Sequence, residues 1–159
     1  DIAVKLGSAS MMLGYWQRPD ATADKYRGDW MLTGDRGIWE GDYLRFVARE
    51  DDVITSSGYR IGPSEIEDCL LAHEVVATVG VIGKPDALRT EVVKAYVVAK
   101  PGVSASATLA SELQKWVKER LASYSYPREI GFLDALPMTV TGKVIRKELK
   151  ARAAREMKT

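Results

Sequence analysis

Hydrophobic positions follow one rhythm up to about residue 50 and another beyond it. In the first stretch the apolar residues come in short alternating runs. Ile2-Ala3-Val4-Lys5-Leu6 reads as a strand, and so does Tyr43-Leu44-Arg45-Phe46-Val47 after the Gly41-Asp42 turn signal. Between them Pro19-Asp20-Ala21-Thr22-Ala23-Asp24 reads as a helical turn with an aspartate near its start. Trp16, Trp30 and Trp39 are a heavy aromatic load for so short a stretch. Residues 1–50 are therefore expected to be a poor folding unit alone and to fit the end of a larger β-rich body.

After residue 50 the pattern predicts a small domain of the α+β class. Ser64-Glu65-Ile66-Glu67 reads as a capping box ahead of Leu70 and Leu71, predicting a helix over 64–72. Val75 to Ile82 reads as a strand closed by a Gly83-Lys84-Pro85-Asp86 turn, and Glu91 to Ala99 as its valine-rich successor. Leu109, Leu113, Trp116, Val117 and Leu121 keep helical spacing, with Thr108 as the cap. Ile130 to Leu133 makes a third strand, and Val144 to about Met157 a basic, charged helix. Helix, two strands, helix, strand, helix is the order of a central three-stranded sheet with flanking helices. The charged run Arg49-Glu50-Asp51-Asp52 between the two regions reads as a solvated linker, which is also what a hinge requires.

Composition narrows the function. The 159 residues are 46% hydrophobic, as expected of a globular protein. Charges nearly cancel, 23 Lys+Arg against 22 Asp+Glu, which excludes nucleic-acid binding through a global basic field. Cys69 is the only cysteine and His73 the only histidine, so neither a disulfide framework nor a Cys/His metal site is expected. Cys69 and Trp116 read as core positions, and His73 as a partner of its helix's C-terminal dipole. No apolar run reaches membrane-spanning length and no signal peptide opens the chain, so a cytoplasmic location is expected, or the mitochondrial matrix in a eukaryote.

Several motifs then carry chemistry. In Thr33-Gly34-Asp35 a carboxylate follows a glycine, which lets backbone approach a sugar while Asp35 accepts from neighbouring hydroxyls; a plain β-turn has the same wording. The run Ser56-Ser57-Gly58-Tyr59-Arg60-Ile61-Gly62-Pro63 puts glycines, an aromatic and an arginine just before a helix. That composition suits a thin ligand passing beside backbone, with Arg60 free for a phosphate, or else an ordinary loop in which Arg60 pairs with Glu65. Lys143 ends Pro137-Met138-Thr139-Val140-Thr141-Gly142-Lys143, a compact cation beside a glycine turn. Val144 and Pro137 exclude a nucleotide-binding Walker loop there. A basic-aromatic group, Arg89, Tyr124, Tyr126, Pro127 and Arg128, combines stacking faces with phosphate partners; surface arginines and snorkelling tyrosines are the competing reading.

Taken in order, these segments resemble the C-terminal part of AMP-forming acyl-CoA synthetases. The Ser-Ser-Gly-Tyr-Arg-Ile-Gly-Pro-Ser-Glu wording is most similar to the medium-chain branch. The resemblance implies that residues 1–50 end the large AMP-binding domain and that 51–159 form the mobile C-terminal domain. By the same resemblance Lys143 is the adenylation catalyst, a target for a lysine acetyltransferase and deacetylase. It also implies that Asp35 binds the ATP ribose, that Arg49 and Arg60 contact the nucleotide, and that Asp51 is the pivot. Ser57, Gly58, Tyr59, Arg89, Tyr126, Pro127 and Arg128 are implied CoA contacts. The substrates implied are ATP with Mg²⁺, a carboxylic acid and CoA, although no residue here resembles a Mg²⁺ ligand. Ala48 stands where the family has glycine and Thr55 where lysine or asparagine is common. The rival readings are a carrier-protein-loading adenylation domain and a non-catalytic module of the same fold. On either enzymatic reading, the segment alone is expected not to adenylate.

Overall fold

The computed structural model describes residues 1–157, and its backbone divides after Asp51 into two units. In the first, β1 (Ala3–Lys5), α1 (Pro19–Ala23), β2 (Tyr26–Arg27) and β3 (Trp30–Leu32) come first, and β1 and β2 flank β3 in an antiparallel sheet. β4 (Asp35–Glu40) and β5 (Tyr43–Arg49) then form a hairpin. A register shift between Arg36 and Gly37 leaves Val47 as an extra residue, so Asp35 pairs with Arg49 and Arg36 with Ala48. Ala48 is buried while Trp39, Tyr43, Phe46 and Ile38 on the same hairpin are exposed.

The second unit contains β6 (Ile54–Ser56), β7 (Tyr59–Ile61), α2 (Pro63–Leu71), β8 (Val76–Asp86), β9 (Thr90–Ala99), α3 (Ala107–Lys118), β10 (Glu129–Phe132) and α4 (Arg146–Glu156). β9 is its spine. β8 pairs antiparallel along it, β10 pairs parallel from Lys94 to Val97, and β6 meets it at Ser56↔Thr90. The period-two alternation of β8 and β9 then sorts side chains between two faces. Val79, Val81, Val93, Ala95 and Val97 point to one core with Ile66 and Leu70 of α2 and Leu109, Leu113 and Val117 of α3. Ile82 and Tyr96 point to the other, with Leu136 and with Leu149 and Ala153 of α4. Each fully buried leucine or valine contributes roughly 1.5–3 kcal/mol of transfer free energy, so this two-sided core holds the unit together.

The α+β class is as expected, but several local expectations are corrected. The three expected strands are joined by the β6–β7 hairpin, giving five strands. Its turn is Ser57-Gly58, with φ of 50° and 84°, the left-handed pair that a two-residue hairpin loop demands. Ser64 does not cap α2. The helix begins at Pro63, whose fixed φ suits the first helical position, the N-cap is Gly62, and no side chain caps it. α3 is capped by Ser106, whose hydroxyl accepts from the Leu109 amide at 3.1 Å; Thr108 lies inside the first turn. Gly83-Lys84-Pro85-Asp86 is not a turn either, because β8 continues through it. Pro85 is tolerated opposite Glu91 because β8 pairs on one side only. The turn falls later, where Asp86 Oδ1 accepts from the Leu88 and Arg89 amides.

Candidate functional site

In the first unit, local hydrogen bonding holds Asp35 at the start of β4. Its amide donates to Thr33 Oγ1 at 3.0 Å, the Thr33 hydroxyl donates to the Ile2 carbonyl, and the Glu50 amide donates to the Gly34 carbonyl. Because Asp35 and Arg49 are register partners, Arg49 Nη1 lies 3.7 Å from Asp35 Oδ1, and its Nε lies 3.5 Å from Asp51 Oδ1. Three residues singled out in the sequence therefore meet around one guanidinium. Gly34 has φ +84°, and a Cβ there would lie 2.9 Å from Lys25 Nζ and 3.3 Å from Arg49 Nη2. Lys25 is thus a second cation of this cluster; nothing in its local sequence distinguished it. The carboxylate, two cations and side-chain-free backbone have the chemistry to receive a polyhydroxylated anionic ligand.

In the second unit the β6–β7 turn, the β8–β9 turn and the segment before β10 converge. The Ser57 amide donates to the Arg89 carbonyl at 3.0 Å, and the Arg128 amide to the Val93 carbonyl at 2.8 Å. A cavity of about 300 Å³ opens there, and Ser57, Tyr59, Arg89, Tyr126 and Arg128 all line it, with Ser123 and Tyr124. Tyr59 and Tyr124 stack with ring centroids 4.1 Å apart and planes 6° off parallel. The Arg128 guanidinium lies 4.3 Å from the Tyr126 ring centroid, and its Nη1 donates to the Tyr126 hydroxyl. Arg89 sits in this wall, and its side chain has no ion pair or hydrogen bond among the described residues. Two guanidiniums and a tyrosine stack in a small cavity suit a phosphorylated aromatic ligand. Gly58 contributes the turn; Pro127 is buried, its carbonyl accepting from Gln114 Nε2 at 3.1 Å.

Arg60 lies exposed on β7, opposite Thr55, and makes no ion pair with Glu65 among the described residues. Lys143 stands apart, at the end of a tight loop. The Thr139 amide donates to the Lys143 carbonyl at 2.8 Å, the Gly142 amide to the Thr139 carbonyl at 2.9 Å, and the Lys143 amide to Thr139 Oγ1 at 3.1 Å. Gly142, at φ +78°, allows the reversal, and Met138 bridges Val144 across it. The Lys143 side chain is exposed, and its ammonium has no partner among the described residues. The loop is rooted on the sheet: a Cβ on Gly80 would lie 2.6 Å from Leu149 Cδ1 and 3.0 Å from Val144 Cγ1.

The residues set aside as structural behave so. Cys69 is partly buried against the first core, and burial pushes its thiol above the ordinary range. His73, the residue after the α2 C-cap, is buried: Nδ1 accepts from the Val75 amide, Nε2 lies 3.4 Å from Glu112, and the ring meets Trp116 edge-on. Trp116 Nε1 donates to the Cys69 carbonyl at 2.9 Å. Among the described residues no cluster of three or more His, Cys, Asp or Glu could hold a metal ion.

An exposed lysine loop and an arginine–tyrosine cavity thus lie on one small α+β unit. Residues 65–143 match the AMP-binding enzyme C-terminal domain, and this part of the chain belongs to that family. Among named proteins, the chain is 51% identical over 140 residues to the human mitochondrial acyl-coenzyme A synthetase ACSM2B, covering 86% of this chain and 24% of that protein. It also resembles the anthranilate CoA ligase AuaEII solved with anthranoyl-AMP, with a TM-score of 0.80 at 34% identity, covering 89% of this chain and 28% of that one. ATP-bound MatB from Rhodopseudomonas palustris matches with a TM-score of 0.76 at 31% identity, over 88% of this chain and 28% of that one. The chain thus spans about a quarter of the length of the relatives it matches.

Proposed function

We propose that this chain is the C-terminal segment of an ATP-dependent, AMP-forming carboxylate–CoA ligase acting on a medium-chain or related acid. The observation that carries the reading is the separation of two chemistries on one compact unit. Lys143 offers a cation with no partner among the described residues on its own loop, while Ser57, Tyr59, Arg89, Tyr126 and Arg128 surround a different cavity. The relatives named as acyl-coenzyme A synthetases and the neighbours solved with ATP or an acyl-AMP support the same reading.

In the first half-reaction the carboxylate oxygen attacks the α-phosphorus of ATP, and pyrophosphate leaves. The Lys143 ammonium stabilises the charge that builds on the reacting oxygens. Asp35 receives the ribose hydroxyls, Arg49 and Arg60 pair with nucleotide oxygens, and Mg²⁺ accompanies ATP. In the second, the CoA sulfur attacks the acyl carbonyl, its proton is released, and AMP leaves. Here Ser57, Gly58 and Tyr59 guide the thiol arm, and Arg89, Tyr126, Pro127 and Arg128 receive the CoA nucleotide. Rotation about Asp51 exchanges the two faces. Acetylation of the exposed Lys143 by an acetyltransferase would remove its charge and arrest the first step.

The acid-binding pocket belongs to the partner domain of the same polypeptide, so the 159-residue chain alone is expected to catalyse no ATP–pyrophosphate exchange. The mitochondrial relatives favour the matrix as its location, and no described helix is long and apolar enough to cross a membrane. The test is Lys143→Ala in the full-length polypeptide. Exchange should fall roughly 100–1,000-fold, while thioester formation from supplied acyl-adenylate stays within a few-fold. Equal loss of both half-reactions would refute the assignment.

A further inference from the structure

Arg146 opens α4, just after the Lys143 loop, and its guanidinium reaches two distant parts of the unit. Nη1 donates to Asp52 Oδ2 at 3.1 Å, and Nη2 donates to Glu67 Oε1 and Oε2 at 2.8 and 2.6 Å. Glu67 Oε1 also accepts from the Val81 amide at 2.8 Å, so the pair is bolted to the central strands. These side chains are largely withdrawn from water, at 21%, 17% and 13% exposure for Arg146, Asp52 and Glu67. Arg146 Nε is buried without a hydrogen-bond partner among the described residues.

We infer that Arg146 is a positioning residue: it fixes the Lys143 loop relative to the residue that follows the pivot. The inference rests on the proposed ligase reading. Asp52 is the first residue of the second unit, immediately after Asp51. Glu67 lies on α2, the helix that follows β7 and Gly62 in the chain. One planar fork therefore links the pivot end, the helix that follows the thiol-guiding turn and the root of the lysine loop. Stability does not account for it. Replacing a withdrawn ion pair by apolar groups is often neutral, and here one donor is left unsatisfied as well. Apolar contacts of Leu149 and Ala153 already hold α4 on the sheet. What the fork adds is angular definition, since a rotating unit delivers Lys143 accurately only if loop and pivot move as one body. A misplacement of about 1 Å at a reacting centre costs roughly 100-fold in rate.

The experiment uses the full-length polypeptide with Arg146→Lys, which keeps the charge and loses the fork, and Arg146→Met/Glu67→Gln, which leaves no unpaired Glu67 charge. Adenylation is read by ATP–pyrophosphate exchange, thioester formation from supplied acyl-adenylate, and folding by thermal midpoint. The expected result is a fall of roughly 10–100-fold in the kcat of exchange. The KM for ATP and the thioester step should change less than about threefold, with folding retained. Exchange at the parent rate in the folded double variant overturns the inference and leaves the ligase reading intact. Equal loss of both half-reactions, or loss of folding in both variants, makes Arg146 merely structural and also overturns it. A parent polypeptide with no exchange for any carboxylic acid overturns the ligase reading and this inference with it.

Discussion

Gly80 is the position where a single methyl group tests how the lysine loop is seated. It lies in β8 opposite Tyr96, and its φ is not in the left-handed region, so alanine fits the backbone. The space does not accept it. A Cβ would meet Leu149 Cδ1 at 2.6 Å, Val144 Cγ1 at 3.0 Å and Leu136 Cδ1 at 3.7 Å. Relaxed carbon–carbon contact needs about 3.5–4.0 Å, so Leu149 must retreat by roughly 1 Å. Leu149 is only 1% exposed and packs with Ile82, Tyr96 and Leu136, so α4 must move instead of one free rotamer. Overpacking of this kind costs about 1–3 kcal/mol, offset by about 0.5–1 kcal/mol for replacing glycine inside a strand. Gly80→Ala should therefore destabilise the unit by about 0.5–2 kcal/mol in urea unfolding. Leu149→Ala alone should cost about 2–5 kcal/mol through its cavity. In the double variant the new methyl occupies part of that cavity, so the loss should fall short of the sum by more than about 0.5 kcal/mol. Strict additivity, or a neutral Gly80→Ala, would refute the packing argument.

Two further outcomes test the second unit without reference to its function. Thr90 sits at φ +69°, a costly conformation for a β-branched residue, so Thr90→Gly should stabilise by up to about 1 kcal/mol in the same unfolding assay. The cluster of Lys84, Lys94, Tyr96, Glu129 and Glu156 should give a stability plateau that falls at both ends of the pH scale. Burial opposes charge on Glu129 and Glu156, but hydrogen bonds from Lys84 and Lys94 to the first, and from Lys94 and Tyr96 to the second, win and lower both from 4.5. Their contribution is complete above that value and is lost as pH falls through the lowered one. Burial, then the hydrogen bond to Glu156, raises Tyr96 from 10.0 to about 12, and the two carboxylates raise Lys94 above 10.5 against its own burial. Both contributions are complete below the unfolded values and are lost as pH rises through the raised ones. Glu129→Gln should flatten the acid limb of thermal midpoint against pH; an unchanged limb would contradict the assignment.

Where a segment carries its own periodicity, sequence and structure agree closely. Glu91–Ala99 and the Leu109, Leu113, Val117 stripe needed no distant information, because alternation and helical spacing are set by backbone geometry alone. The hairpin of β6 and β7 was harder. Its strands are three residues each, too short to show a period, and the one clue was the Ser57-Gly58 dipeptide, a known turn pair. Gly83-Lys84-Pro85-Asp86 went the other way: a strong local turn signal yields to a continuous ladder with β9 because a whole strand of pairing outweighs local preference. Ser64 failed as a cap for a local reason, since Pro63 already starts the helix.

The sequence by itself determined the α+β class, the family resemblance and the identity of the chemical groups, because residue type and short-range order encode them. Which groups meet was decided by tertiary structure. Asp35 finds Arg49 through the register of one hairpin, and Arg89 joins Tyr126 and Arg128 through the edge of β9. Arg146 finds Asp52 and Glu67 across separations of 94 and 79 residues. No periodicity reaches over such distances; only the packing of α4 on β8 closes them, and with them the frame on which Lys143 is carried.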